Sequence, residues 1–275
     1  MRRRVASASR LLGASEELLS IELLEEHARR LAALLSITPK KGSGHAHLRR
    51  LKGHMRALRG VYTALADDAR LETPSPAAEW LLDNFHIISA AARDIHHDLP
   101  PAFIKRLPFV AADEFVGLPR IYALALELIG SSAGRLDAHR LQRFITAFQS
   151  VTPLTMGELW AWPSALKLAL LDHLRARGDV LEATRRHRVA ADRVASGFET
   201  GEARSDEWPM EVHHAFVTRL LQRSRALGTV ASGLHDRLEA ALKARGQTIE
   251  DAIRAEGQHQ AAEQANVANL IGSLR

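Results

Sequence analysis

Several features that often reveal a protein's function are missing from this chain. None of its 275 residues is cysteine, which excludes a disulfide framework, a thiolate metal site and a cysteine nucleophile. No run of about 18 apolar residues is present, so the sequence predicts no transmembrane helix. The sequence also lacks a repeat of fixed period, a glycine-rich phosphate-binding loop and a Gly-x-Ser-x-Gly nucleophile elbow. It lacks as well the Asp-x-Asp pair of many sugar-nucleotide transferases. These absences argue against an active site of a common type.

The N-terminus and the net charge limit the possible localisation and partners of the protein only broadly. Met1 to Arg4 is as basic as the start of a signal peptide, but polar residues interrupt the apolar run that should follow, so no signal peptide is predicted. The net charge of +5 and the pI of about 9.9 fit an arginine-rich, soluble, cytoplasmic protein. An anionic membrane surface or a nucleic acid remains open as a partner of the basic residues.

Helical periodicity runs through the chain and no segment alternates as a strand does. The predicted fold is all-α, a bundle of about nine or ten mostly antiparallel helices without a sheet. Three regions are expected. Residues 1–72 form a basic arm and a helical hairpin, residues 73–177 form a core that carries most motifs, and residues 178–275 form C-terminal helices after which the chain is expected to be truncated.

Capping residues and breaks set the predicted helix bounds. Ser15 and Asp137 are placed as caps, and Thr155 with Glu158 matches a capping box. The outer face of the second helix is predicted to carry Arg49, Arg50, Lys52, Arg56 and Arg59. The predicted helices are Ser15 to Leu35, His45 to Arg70, Pro76 to the residue before Pro100, Ala102 to Arg106, Leu118 to Ser131, Asp137 to Ser150, Thr155 to Arg177, Gly178 to Ser196, Glu207 to Leu227, Val230 to Arg245 and Thr248 to Leu270.

Two ionisable residues in apolar surroundings are candidates for chemistry. His86 follows Asp83 by three residues, so a carboxylate could orient it as a base, but a hydrogen-bonded core histidine is the preferred interpretation. Glu127 lies in a strongly apolar helix and needs a partner, for which Arg120 or Arg135 is predicted. The histidine pairs at 96–97 and 213–214 are interpreted as solvated or capping residues rather than metal ligands, and no metal site is predicted.

The tryptophans at the start of the Thr155 helix allow two interpretations. Trp160 and Trp162 could stack on a sugar ring, but two residues apart on a helix they diverge, so core packing is preferred. The arginine-rich faces carry few aromatic residues between them, which weakens the case for single-stranded nucleic acid.

Several segments between residues 79 and 163, together with the C-terminal tail, resemble a known family. They stand in the order and spacing of the N-terminal region of bacterial cyclic β-1,2-glucan synthases. The sequence departs from that pattern at Phe103-Ile104, where paired tyrosines are expected. The segments are Glu-Trp-Leu-Leu-Asp-Asn-Phe-His-Ile-Ile (79–88), Asp-Leu-Pro (98–100), Leu-Pro (107–108), Gly-Leu-Pro-Arg-Ile-Tyr-Ala-Leu-Ala-Leu-Glu-Leu-Ile (117–129), Gly-Arg-Leu-Asp (134–137), Thr-Pro-Leu-Thr-Met-Gly-Glu-Leu-Trp-Ala-Trp-Pro (152–163) and Glu-Gln-Ala-Asn-Val-Ala-Asn-Leu-Ile-Gly-Ser-Leu-Arg (263–275).

The resemblance implies a role within a much larger inner-membrane protein. Such synthases build β-1,2-glucan from UDP-glucose with a divalent metal, and both would be bound outside this chain. The chain would be a non-catalytic, cytoplasmic module at the inner membrane face that scaffolds or regulates the transferase region. Its partners would be the transferase and phosphorylase-like regions, with an anionic membrane surface as a further candidate. The motif residues expected to hold helix junctions or to dock the module are Asn84, His86, Arg120, Tyr122, Glu127, Asp137, Glu158 and Trp160.

Two alternatives remain beside that interpretation. The first is a carbohydrate-active site formed by His86, Glu127 and Trp160. The second is a basic helical module that binds nucleic acid, for which a contiguous face of arginine and lysine is expected.

Overall fold

The structure is a computed structural model that describes residues 18–38, 42–111, 115–200, 212–227 and 232–275. These residues contain eleven helices and one two-stranded sheet. The helical fold is confirmed, but the prediction that no sheet is present was wrong. The elements are α1 Ile21–Leu34, β1 Ile37–Thr38, α2 Ala46–Asp68, α3 Pro76–Asp83, α4 Phe85–Asp98, α5 Pro101–Ile104, β2 Phe109–Val110, α6 Arg120–Ser131, α7 Ala138–Gln149, α8 Met156–Thr200, α9 His214–Leu227, α10 Ser232–Lys243 and α11 Ile249–Gly272.

The sheet is small because each strand has only two residues. β1 and β2 pair antiparallel, with Ile37 opposite Val110 and Thr38 opposite Phe109. Strands this short show no alternation that a sequence window could detect. The pairing joins segments about seventy residues apart, and only the tertiary fold brings them together.

Two predicted helices differ from the structure in their continuity. The helix predicted from Pro76 onward is divided at Asn84, whose side-chain amide donates to the carbonyl of Trp80 at 2.9 Å and so competes with the helical pattern. Conversely, α8 continues through Gly178 as one helix of 45 residues. The methyl groups of Leu58 and Val61 lie 3.5 Å from where a Cβ of Gly178 would stand, so packing supports the helix at this weak helix former.

Some predicted features fall outside the described residues. Ser15 is among them, and the described α1 is instead capped by Ser20, whose hydroxyl accepts from the Leu23 amide at 3.3 Å. The predicted helix starts at Glu207 and Val230 also lie outside.

Met1–Pro74, Ala78–Gly178 and Ala265–Arg275 form one compact unit, called here unit 1. Its central element is α6, which is buried from Arg120 to Ala125 and again at Leu128 and Ile129. α1 packs along α7 and α2 packs along α4, whereas the sequence predicted that α1 and α2 would form a hairpin. The apolar helix predicted to be central therefore has that role, but the helices around it pair differently.

The turn after α6 requires glycine. Gly134 has a φ of 71°, in the left-handed region, and its amide donates to the Ile129 carbonyl at 3.2 Å. A Cβ there would lie 2.7 Å from the Leu270 side chain of α11. The Ser273 hydroxyl donates to the Gly134 carbonyl at 2.8 Å, which fixes the C-terminal residues against this turn.

Ser75–Ala77 and Asp179–Gln264 form the second compact unit, unit 2. Its core comes from the end of α8, from α9 and α10, and from the start of α11. No helix within the described residues is both long enough and apolar enough to cross a membrane. The buried core residues are Ala191, Val194, Ala195, Phe216, Val217, Leu220, Leu221, Leu234, Leu238, Leu242 and Ala252.

Candidate functional site

The first polar network joins the start of α6 to the start of α8. Arg120 and Glu158 form a two-pronged ion pair, with Nε to Oε1 at 2.8 Å and one terminal nitrogen to Oε2 at 2.7 Å. The same nitrogen donates to the Pro153 carbonyl at 3.2 Å. Arg120 is 3% exposed and Glu158 is 0% exposed. A charge pair this buried is stable only when the geometry is good and the remaining polar atoms have partners.

Glu158 also caps α8. Its Oε2 accepts from the amide and from the hydroxyl of Thr155, both at 2.9 Å, and the Thr155 hydroxyl accepts from the Glu158 amide at 3.3 Å. The predicted capping box is confirmed. One carboxylate therefore both starts a helix and neutralises a buried arginine. The sequence showed the first role and missed the second.

The second network lies around Asp172 of α8. Tyr122 donates to Asp172 Oδ2 at 2.6 Å, and Arg50 donates to the same oxygen at 2.8 Å. His54 Nε2 lies 3.0 Å from Oδ1, an ion-pair contact that is not aligned as a hydrogen bond. Arg50 also donates to the Tyr122 hydroxyl at 3.2 Å. These contacts tie α2 and α6 to α8 in unit 1.

Burial and charge shift the pKa values in this network. Burial favours the neutral form of Asp172, but His54, Arg50 and Tyr122 together hold the pKa of that carboxyl well below its usual range. Burial, reinforced by the Asp172 charge, raises the pKa of Tyr122 far above its usual value. Burial lowers the pKa of the adjacent His173 to about 4. Around neutral pH the network thus holds an ionised carboxylate and a neutral phenol.

Sequence reasoning missed three members of the second network: Arg50, His54 and Asp172. Arg50 was assigned to the outer face of α2, and this was wrong because its side chain turns toward Asp172. A signal was available, since Arg50 and His54 are four residues apart and share a face of the helix. Arg49 stands 100° away from that face and is exposed.

Glu127 contacts a histidine of another helix, and Asp137 caps its own helix. Glu127 Oε2 lies 2.9 Å from Nε2 of His27, so the predicted partners Arg120 and Arg135 were wrong. His27 lies a hundred residues earlier, and no pattern in the sequence indicated this contact. Asp137 caps α7 as predicted, because its Oδ1 accepts from the Arg140 amide at 2.8 Å.

His86 and Asn84 lie at the break between α3 and α4. His86 is exposed and its Nδ1 is 3.1 Å from the Asp83 carbonyl, so neither the core histidine nor a base oriented by the Asp83 carboxylate is present. The side-chain oxygen Oδ1 of Asn84 accepts from Arg275 at 3.0 Å, a contact within unit 1. His86 thus makes a contact within its own turn, whereas Asn84 contacts both its own turn and the distant Arg275.

Trp160 is 77% exposed, so the prediction that it packs in the core was wrong. Three apolar residues close to it in the sequence are also exposed: Met156 at 70%, Leu159 at 37% and, in the preceding turn, Val151 at 50%. We call these four residues the Trp160 surface. Leu159 and Trp160 follow Met156 by three and four residues, so each is a neighbour of Met156 on the first turns of α8.

Unit 2 has its own buried carboxylate. Glu256 of α11 is 4% exposed, and its oxygens contact Arg188 at 2.9 Å and His214 at 2.6 Å. Burial opposes ionisation of Glu256, but Gln260, His214 and Arg188 nevertheless hold its pKa below the usual value.

A histidine cluster stands beside Glu256. The ring of His213 stacks on His187 with centroids 4.3 Å apart and lies 3.8 Å from His214. Burial, followed by the neighbouring rings of His214 and His187, lowers the pKa of His213 to about 4. The pair at 213–214 is therefore packed against other rings rather than solvated. The other predicted role, capping, is present at His213, whose Nδ1 accepts from the Ala215 amide at 3.2 Å at the start of α9. No group of three or more His, Asp or Glu side chains in the described ranges is placed to hold a metal ion.

The helical fold and its polar networks define a class of protein. Arg120, Tyr122, Glu127 and Glu158 of unit 1 are engaged in contacts between helices, and the protein is a helical one braced by buried ion pairs. The networks contain no arrangement in which a nucleophile, a base and an oxyanion donor converge within the described residues.

Comparison with known proteins identifies the relatives of this class. No family model matches the chain. The chain is 31% identical over 229 residues, 78% of its length, to the cyclic beta-(1,2)-glucan synthase NdvB of Rhizobium meliloti. The match spans 8% of the length of that protein. This chain is a region related to the cyclic β-1,2-glucan synthases, and the resemblance predicted from its motifs is confirmed.

Proposed function

We propose that this chain is a non-catalytic helical module of a cyclic β-1,2-glucan synthase and that it scaffolds or regulates the transferase region. The observation that carries the proposal is the engagement of several motif residues in contacts between helices. Arg120, Glu158 and Tyr122 are committed to buried contacts between helices. Catalysis requires polar groups that meet a substrate, whereas a scaffold requires junctions that hold their shape.

The proposed setting of the module is the one that the family resemblance implies. UDP-glucose and a divalent metal would bind outside this chain, in the transferase region. The partners would be that region and the phosphorylase-like region, and the module would lie at the cytoplasmic face of the inner membrane, as the N-terminal region of the synthase. Each of these statements is part of the proposal.

The Trp160 surface is the proposed contact with the transferase region. Exposed aromatic and methionine side chains are enriched where proteins bind one another, and a single aromatic anchor often carries much of the affinity. Replacement of Trp160 with alanine should reduce co-purification with a co-expressed transferase region by about tenfold or more. Leu71→Ala is the matched control, because Leu71 is 89% exposed but lies outside this surface.

The outcomes of that experiment separate the candidates. Equal loss in both variants, or no co-purification of the unaltered chain, would contradict the scaffold proposal. Binding of β-1,2-glucan that Trp160→Ala abolishes would instead favour the carbohydrate alternative, which the exposure of Trp160 permits. No hydrogen bond, ion pair or ring contact among the described residues joins any two of His86, Glu127 and Trp160.

A further inference from the structure

The outer face of α2 carries a straight row of basic side chains. Arg49, Lys52, Arg56 and Arg59 are separated by three, four and three residues, so they lie on one face of the helix. All four are exposed. The row is about 15 Å long, from the rise of 1.5 Å per residue of an α-helix. We call these four residues the basic row.

The basic row has no acidic counterpart. None of its four side chains forms an ion pair in the part of the chain that the structure describes. No Asp or Glu occurs from Ala46 to Ala66, so the helix itself offers no carboxylate until its last turn. The arginines of α8 differ, because Arg185 and Arg186 both contact Glu182. The charge of the basic row is thus available to a partner.

The surface around the row is rigid and open. The opposite face of α2 is buried through Leu51, Leu58 and Leu65, which fixes the orientation of the helix. Gly53 and Gly60 lie beside the row, and a Cβ added at either would meet nothing within 4 Å. A flat array of anions can therefore approach all four basic side chains together.

We propose that the basic row docks the chain on anionic phospholipid headgroups. A planar membrane presents phosphates to a straight row of four cations without requiring a groove. Single-stranded nucleic acid is disfavoured, because the row contains no exposed aromatic residue on which bases could stack. The inference rests on the proposed function for its setting, since a module that serves a membrane transferase works beside a lipid surface.

The test is cosedimentation of the full chain with vesicles of phosphatidylcholine that contain about a third phosphatidylglycerol. Each basic residue near such a surface contributes about fivefold to binding, so replacing all four with glutamine should weaken it by roughly several hundredfold. Raising the salt to about 1 M, where the Debye length falls to about 3 Å, should also release the unaltered chain. The test substitutions are Arg49→Gln, Lys52→Gln, Arg56→Gln and Arg59→Gln.

The matched control removes the same charge elsewhere in unit 1. It must bind the vesicles nearly as well as the unaltered chain, since its residues are exposed but lie outside the row. Equal weakening of both variants, unchanged binding by the row variant, or equal binding to pure phosphatidylcholine would overturn the inference. So would preferred binding to duplex DNA or RNA at the same phosphate concentration and salt. The control substitutions are Arg93→Gln, Lys105→Gln, Arg106→Gln and Arg135→Gln.

The two proposals fail separately. In detergent without lipid, the row variant should still co-purify with the transferase region, because the Trp160 surface is unchanged. If vesicle binding persists but co-purification is lost, the scaffold proposal is contradicted and the membrane-docking proposal stands. Co-purification that survives when vesicle binding fails would remove only the membrane surface.

Discussion

Two helices of this chain begin with the same local device in different surroundings. α8 starts with Thr155 and Glu158, and α11 starts with Thr248 and Asp251, each a capping box of reciprocal hydrogen bonds. In unit 1 the acid of the box is fully buried and also holds Arg120. In unit 2 the acid, Asp251, is exposed and contacts Arg254 at 3.2 Å. The Arg254 side chain is also largely exposed. The local pattern is similar, but the energetic importance of the two boxes should differ greatly.

The largest effect is expected from Glu158→Gln. The substitution leaves Arg120 charged and buried without its counterion, which should lower the free energy of unfolding of unit 1 by about 3–5 kcal/mol. Hydrogen exchange of the amides in α6 and in α8 up to Gly178 measures the change, because these amides belong to unit 1 and exchange reports each unit separately. A loss below about 1 kcal/mol would show that the buried charge finds another partner and that the comparison of the boxes fails.

Removing both charges of the Arg120–Glu158 pair tests whether an unpaired buried charge is the cause of the destabilisation. Arg120→Met combined with Glu158→Leu should destabilise unit 1 less than Glu158→Gln alone, because no unpaired charge remains buried. The double-mutant cycle, measured by the same hydrogen exchange, isolates the coupling between the two side chains. Additive effects of the single substitutions would mean that the pair does not act as a unit.

The threonines of the two boxes give the next comparison. Thr248→Ala should cost about 1 kcal/mol, the usual value of a lost N-cap on an exposed helix start. Thr155→Ala should cost about 2 kcal/mol, because Glu158 also loses a hydrogen bond in a buried site. Protection of the first-turn amides of α8 and α11 provides the measurement. Equal costs would indicate that burial of the acid does not strengthen the box.

The smallest effect concerns acid pH. Hydrogen bonds from Thr248 are the main reason that the pKa of Asp251 lies below its ordinary value of 3.8. Because the folded pKa is the lower one, this contribution to stability is complete above the unfolded pKa and is lost as the pH falls through the folded pKa. NMR titration of Asp251 should show its pKa rising in Thr248→Ala. An unchanged pKa would assign the shift to another group.

Much of the fold could be predicted, and the failures share a cause. Apolar periodicity correctly predicted most helices, and the caps at Asp137 and Thr155 were correct because they depend on residues three positions away. The break at Asn84 and the continuity of α8 at Gly178 were missed. At Asn84 the side-chain hydrogen bond to Trp80 competes with the helical pattern of the segment. At Gly178 packing against Leu58 and Val61 overrides the low helix propensity of glycine.

The sequence by itself determined the helical class, the caps and the relationship to the glucan synthases, since all three depend on residue order. Only the tertiary structure decided that Arg50 turns inward while Arg49 stays exposed, that Glu158 meets Arg120, and that Trp160 lies outside the core. Hydrogen bonds within a helical turn are fixed by local spacing. Burial and ion pairing depend on neighbours tens of residues away, and these come into place only when the helices pack.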